Sequence, residues 1–247
     1  MRLIKKILKS ILPCRLVRAI QARRRNRRRS TRQVFEQIYA TSLWGRSPDP
    51  DQKFYSGPGS HEDAVVQTYL TAMREFLSSF EEKPDVADLG CGDFAIGANL
   101  RALCGNYIAC DIVKPLIRFN QQKFKALDVE FRHLDFTQDE LPPAKIVFIR
   151  QVLQHLSNER IRAALPQIAA KYQYLVLTEH LPDGENYIRN LDQPTNSDTR
   201  LLNGSGVDLT WPPFKLKVVS EQELCRVPQF GAIIKTTLYQ LAPGVPG

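Results

Sequence analysis

Val86-Ala87-Asp88-Leu89-Gly90-Cys91-Gly92-Asp93-Phe94-Ala95-Ile96-Gly97 is the stretch from which the rest of the chain can be read. A short apolar run predicts a strand, two glycines predict a sharp turn, and the residues after them, continued by Asn99, Leu100 and Leu103, predict a helix. Gly90 and Gly92 let the backbone turn tightly and leave room for a ligand against the main chain. An open α/β sheet binds its ligand outside the carboxyl ends of its strands, which is where this turn falls. Two carboxylates, Asp88 and Asp93, frame it. Anionic side chains would repel a pyrophosphate, so the turn suits a ligand that carries a positive ammonium or sulfonium group.

Outward from the turn, strands and helices alternate. Asn106 to Asp111 reads as a second strand, Pro115 to Phe124 as a helix opened by its proline, and Val129 to Phe136 as a third strand. Lys145 to Arg150 is a continuous apolar run ending in a charge, as expected of a strand buried on both faces. Ser157 caps a helix through Leu165, Tyr172 to Glu179 is a fifth strand, and Gly231 to Leu241 supplies a last strand of alternating pattern. Such alternation predicts an α/β fold with a doubly wound, mostly parallel sheet. Acids recur at the ends of its first three strands: Asp88, Asp111 and Asp135. Asp111 follows the turn by about 20 residues, where a nucleoside's ribose hydroxyls need an acceptor. Asp135 is able to accept from an adenine amino group, with Phe136 beside it to cover the base.

The Asp88-Leu-Gly-Cys-Gly-Asp motif, followed by Asp111 and Asp135, resembles class I S-adenosylmethionine-dependent methyltransferases over roughly residues 85–180. The glycine spacing alone also fits a relaxed dinucleotide fingerprint through Gly90, Gly92 and Ala95, so the three acids carry the distinction. The resemblance implies a Rossmann-like, seven-stranded sheet whose last strand enters antiparallel. It implies S-adenosyl-L-methionine as cofactor, with Asp88, Gly90, Gly92, Asp93, Asp111, Asp135, Phe136 and Arg150 in contact with it, and no metal. Transfer to a hydroxyl acceptor needs a base. His155 after the fourth strand and His180 after the fifth are the candidates, with Glu179 and Asp192 behind them. Glu179 and His180 are neighbours on one strand and so point to opposite faces.

Charge divides the chain unevenly. The net of +8 hides a segment, residues 1–32, with 13 Lys or Arg and no acid, which leaves 21 basic against 26 acidic residues elsewhere, a net of −5. Leu3, Ile4, Ile7, Leu8, Ile11 and Leu12 fall at helical spacing between lysines, and an arginine run from Arg23 to Arg29 follows. A basic amphipathic helix followed by a polybasic run suits an anionic membrane surface, with an RNA-binding arm, a solvated tail or a transit peptide as alternatives. The mildly acidic body speaks against nucleic acid as the main partner. Five cysteines show no C-x-x-C pair, which favours free thiols in a reducing cytoplasm.

The expected organisation is a basic tail over residues 1–32, a helical lid or N-terminal subdomain over 33–80, and a core over 81–247 carrying an acceptor-side insertion at 181–213. In the lid, Ser60 is the expected N-cap of the helix through Leu77, and Trp44 and Tyr55 sit among glycines. Loops on a rigid scaffold often carry function, so Trp44, Tyr55 and Ser60, with Asp192 and Trp211 from the insertion, are candidate acceptor or lid residues. The same layout resembles small bacterial methyltransferases of surface-glycan synthesis. Combined with the basic tail, it implies O-methylation of a sugar or lipid-linked glycan by a cytoplasmic protein peripheral to the inner membrane face. The alternatives are a protein or RNA methyltransferase targeted by its arginines, and a module that binds the cofactor without turning it over.

Overall fold

The computed structural model describes residues 29–184 and 186–242. The basic amphipathic stretch of residues 1–28 lies outside them.

Helix α1 (Thr31–Ala40) opens with a capping box at Ser30 and buries Val34, Phe35 and Ile38 on one face. A long connection containing a 3-10 turn at Pro58–Ser60 leads to α2 (Asp63–Ser78), whose stripe of Val65, Tyr69, Leu70, Met73 and Leu77 is buried. Each such side chain contributes roughly 1.5–3 kcal/mol when fully removed from water. The cap of α2 differs from expectation. Glu62 is its N-cap and makes no side-chain cap bond, while Ser60 ends the 3-10 turn. Ser60 Oγ instead accepts from Arg150 Nη1 at 3.0 Å.

From there β1 (Val86–Leu89), α3 (Ala95–Leu100), β2 (Tyr107–Asp111), α4 (Lys114–Lys123), β3 (Glu130–His133), β4 (Ile146–Arg150), α5 (Asn158–Lys171) and β5 (Tyr174–Pro182) follow the expected alternation. Beyond β5 the chain makes two short strands, β6 (Ile188–Arg189) and β7 (Ser205–Gly206), paired in parallel, with a 3-10 turn at Arg200–Asn203 between them. The insertion therefore has secondary structure of its own. The chain ends in a long hairpin, β8 (Val218–Gln229) and β9 (Ala232–Leu241). Strand β8 carries Glu221, Glu223 and Arg226 on an exposed edge and has none of the apolar run that marks the interior strands.

The seven-stranded sheet has the order β3-β2-β1-β4-β5-β9-β8. Strands β1 to β5 pair in parallel, and β9 runs antiparallel to both neighbours. Alternate residues of the central strands enter two separate cores. Ala87, Leu89, Ile108, Cys110, Val147, Ile149, Leu175 and Leu177 share one core with α1 and α5. Val86, Tyr107, Ala109, Ile146, Phe148 and Val176 share the other with α2. By this period of two, Asp88, Asp111, Arg150, Thr178 and His180 lie on the α2 face, and Glu179 lies on the other. The switch in strand order between β1 and β4 opens the crevice in which a doubly wound sheet places its ligand.

Candidate active site

The glycine turn is held from below by β2. The Gly90 and Cys91 amides both donate to Cys110 O, at 2.8 and 2.9 Å. The Gly92 amide donates to Asp111 Oδ2 at 3.2 Å, and Asn120 Nδ2 of α4 donates to Gly92 O at 2.8 Å. Both glycines have positive φ, +85° and +55°. A third positive φ, +60°, belongs to Phe94. This left-handed backbone costs an L residue about 1–2 kcal/mol. The Phe94 ring is buried against Phe131, Phe124 and Tyr107 at centroid distances of 4.9, 5.2 and 5.4 Å, which offsets the strain. Gly97 must stay small beneath it, because a Cβ there would stand 2.3 Å from the ring.

Asp93 ties this turn to the loop between α1 and α2. Its Oδ2 accepts from the Ser56 amide at 2.9 Å and meets His61 Nε2 at 2.7 Å, and its own amide donates to Ser56 Oγ at 2.9 Å. Tyr39 OH closes the group at 3.1 Å from Ser56 Oγ. Tyr55 stacks on His61 with centroids 4.5 Å apart. Trp44 Nε1 donates across the crevice to Ser197 O at 3.1 Å, with its ring 5.0 Å from that of His155. The loop thus roofs a cavity of about 560 Å³ that runs from the glycine turn to the far ends of β5 and β8. Such a volume lies in the usual range for small-molecule sites.

One end of the cavity is acidic, and its carboxylates are buried. Burial pushes the Asp88 carboxyl up to about 7, against the lowering effect of the Tyr107 hydroxyl bonded to it at 3.0 Å. Burial also lifts Asp111 to about 6, opposed by the Val113 and Gly92 amides that it accepts. Carboxylates held this far above their ordinary range gain from a cation beside them. Two buried donors on the same wall, Arg150 Nε and Gln151 Nε2, have no hydrogen-bond partner. Buried acids raised by desolvation and buried donors without an acceptor match a zwitterionic amino-acid end, so the residues present fit S-adenosylmethionine. Asp135 is turned partly onto its own loop, where Oδ1 accepts from the Thr137 amide and hydroxyl at 3.0 and 2.7 Å.

The other end is built by two histidines joined through one glutamine. Gln154 Oε1 accepts from the His180 amide at 3.1 Å, and its Nε2 lies 3.3 Å from His155 Nε2. His155 Nδ1 meets Asp198 O at 3.2 Å. A carbonyl only accepts, so Nδ1 carries the hydrogen and Nε2 accepts from Gln154. Burial lowers His155 to about 4, which keeps it neutral. By the same logic His180 Nε2–H donates to Gln229 O at 3.1 Å, leaving Nδ1 as its bare nitrogen. Burial lowers the His180 pKa as well.

Of the residues singled out in the sequence, Asp88, Gly90, Gly92, Asp93, Asp111, Asp135, Phe136 and Arg150 line this cavity together with Trp44, Ser60, His155 and His180. Four do not. Glu179 lies on the opposite face of β5, accepts from the Leu153 amide at 3.1 Å and is pushed up to about 8 by burial, with Arg200 opposing the rise. It supports the backbone that carries Gln154 and His155. Asp192 caps α5 by accepting from the Asn158 amide at 2.8 Å. Trp211 is half exposed under the Arg189 guanidinium, 4.3 Å from its ring centroid. Tyr55 backs His61. The insertion reaches the cavity through Ser197, Thr199, Leu201 and Leu202 instead. Gln151, Gln154, Ser56 and Gln229 also line it and escaped the sequence reading. Gln151 directly follows β4, so the strand-end rule applied to the acids marks its place too.

Residues 86–172 match a family model described as a methyltransferase domain. No curated protein matches the chain. Among solved structures, N-methyltransferase NodS from Bradyrhizobium japonicum WM9, in complex with S-adenosyl-L-homocysteine, is similar at 15% identity and a TM-score of 0.60, over 86% of this chain and 99% of that one. Magnesium protoporphyrin IX methyltransferase (ChlM) from Synechocystis PCC 6803 with bound S-adenosylmethionine is 13% identical with a TM-score of 0.52, over 86% and 98%. A DhpI–S-adenosylhomocysteine complex is 15% identical with a TM-score of 0.52, over 87% and 97%. At these identities the likeness is one of fold.

Proposed function

We propose that this chain, an S-adenosylmethionine-dependent methyltransferase whose residues 86–172 match a methyltransferase domain, methylates a hydroxyl group of a sugar or lipid-linked glycan at a membrane face. The observation that carries the reading is a single cavity in which buried acids at one end stand opposite a neutral histidine with a bare ring nitrogen at the other. When bound, S-adenosylmethionine supplies an electrophilic methyl group. Asp88 and Asp111 would hold its positive end and ribose side, Phe136 would cover the base, and Arg150 and Gln151 would donate to its carboxylate. His180 Nδ1 takes the proton of the acceptor hydroxyl, while Gln229 O fixes the tautomer that makes this nitrogen a base. An amine acceptor that arrives deprotonated would need no such group, and for that reason a hydroxyl is favoured. His155, its Nε2 engaged by Gln154, orients the pocket wall.

The test is calorimetric titration of the purified chain with S-adenosylmethionine and with NADH, followed by transfer of labelled methyl to extracted lipid-linked glycans. The expected result is binding of the first ligand alone and label that co-migrates with the glycan fraction. Binding of neither ligand by a folded sample sinks the cofactor assignment. Label in protein or RNA and none in glycan sinks the acceptor assignment while leaving the cofactor in place.

A further inference from the structure

Phe230 stands at the tip of the β8–β9 hairpin, 77% exposed, with φ +51°, and Gly231 follows it with φ +71°. A two-residue turn with positive φ at both central positions favours Asn-Gly, and a bulky aromatic is badly suited to the first of them. Phe94 is in the same conformation but is rewarded by a packed ring, whereas the Phe230 ring buries almost nothing. Leu202 is also 76% exposed. It projects from the Arg200–Asn203 turn, which buried Arg200 pins through the carbonyls of Leu191 and Leu156. Both side chains line the cavity that contains His180, so they form part of its rim. Strain of this kind clusters at functional sites, ligand clamps and switch regions.

Thr31, the first residue of α1, lines the same cavity. Residues 1–28 precede it and lie outside the described residues. Their sequence holds eleven Lys or Arg and no acid, with Leu3, Ile4, Ile7, Leu8, Ile11 and Leu12 at helical spacing. A basic, acid-free segment and projecting apolar side chains in one chain fit an anionic bilayer, whose headgroups take the former and whose acyl boundary takes the latter. We infer that the Phe230–Leu202 rim is the surface by which the protein docks on anionic lipid, so that the cavity opens onto the bilayer and receives an acceptor whose apolar anchor stays in it. This rests on the reading of the cavity as the methyl-transfer site.

The test is co-sedimentation of the full chain with phosphatidylcholine vesicles, with and without phosphatidylglycerol. The wild type is expected to partition onto the phosphatidylglycerol vesicles. Combining Phe230→Asn with Leu202→Ser should weaken that partition about tenfold or more, the loss expected from withdrawing two large apolar side chains. Asn suits the turn, so thermal melting should show a fold at least as stable at that position. Phe230→Trp, which keeps an interfacial aromatic, should bind vesicles as the wild type does. Titration with S-adenosylmethionine runs beside each variant. If no form binds the cofactor, the function proposed above fails. If all bind it and the double variant partitions like the wild type, or the wild type ignores both vesicles, the docking surface alone is overturned.

Discussion

The two ends of the cavity are assembled in different ways. At the glycine turn, the hydrogen bonds that shape the site join residues 19 and 28 positions apart within two successive βα units, and 37 where the Ser56 amide reaches Asp93. At the histidine end they join residues 153, 49 and 43 apart: Trp44 to Ser197, His180 to Gln229, and His155 to Asp198. The first end follows mainly from strand order and turn geometry. The second depends on which loops happen to meet. An enzyme can therefore keep its methyl donor while its acceptor changes, because altering one end leaves the other standing.

Substitutions that strike one end and spare the other sharpen this contrast. His180→Gln should lower kcat by about 10²–10⁴-fold, the usual worth of a positioned base, without changing the affinity for S-adenosylmethionine. A parallel loss of cofactor binding would show that the two ends are not separable. Phe94→Gly works the opposite way. It relieves about 1–2 kcal/mol of backbone strain and removes a ring worth about 3–5 kcal/mol, so denaturant unfolding should show a net loss of about 1–4 kcal/mol. Unchanged stability would mean that the ring does not hold the turn. Trp44→Phe removes one hydrogen bond across the crevice, worth about 1 kcal/mol. The acceptor KM should rise by up to tenfold while the cofactor Kd stays put.

The smallest effect concerns pH. Asp88 titrates near 7 in the ligand-free fold and near 4 in the unfolded chain, so the folded state holds the extra proton between those values. Stability contributed at Asp88 is thus present at low pH and is lost as pH rises through about 7. The melting temperature of the wild type, relative to Asp88→Asn, should fall by a few degrees between pH 5 and 8. Saturating S-adenosylmethionine should remove the difference, since a bound cation favours the ionised carboxylate. A flat difference without ligand would mean that Asp88 is already ionised in the free protein.

What the sequence discloses follows the same division. The acids at the ends of β1, β2 and β3 were legible because a strand's apolar run and its terminal carboxylate are contiguous. Ser60 misled, because an N-cap signature describes a helix start and says nothing of Arg150, 90 positions away, which takes the hydroxyl. Trp211 and Asp192 misled for a related reason. An aromatic and an acid in a long polar segment look like pocket residues, yet one shelters under Arg189 and the other caps α5. Gln154 carries no composition signal at all, and its role exists only once β5 brings His180 beside it. Strand β8 was hidden by its polar surface, since an edge strand facing solvent lacks the apolar run of an interior one.

The shared carboxylate of Asp93 has a kinetic corollary. A loop fastened to the glycine turn by the Ser56 amide and the His61 ring covers that end of the crevice, and release of a spent cofactor through it is expected to wait for this fastening to open. Turnover then resembles a door with a slow latch, in which the first cycle is quick and later ones wait for release. Rapid-quench kinetics should display a burst of about one methylated acceptor per active site. A linear time course from the first milliseconds would place the slow step in the transfer itself and reduce the latch to a structural clasp.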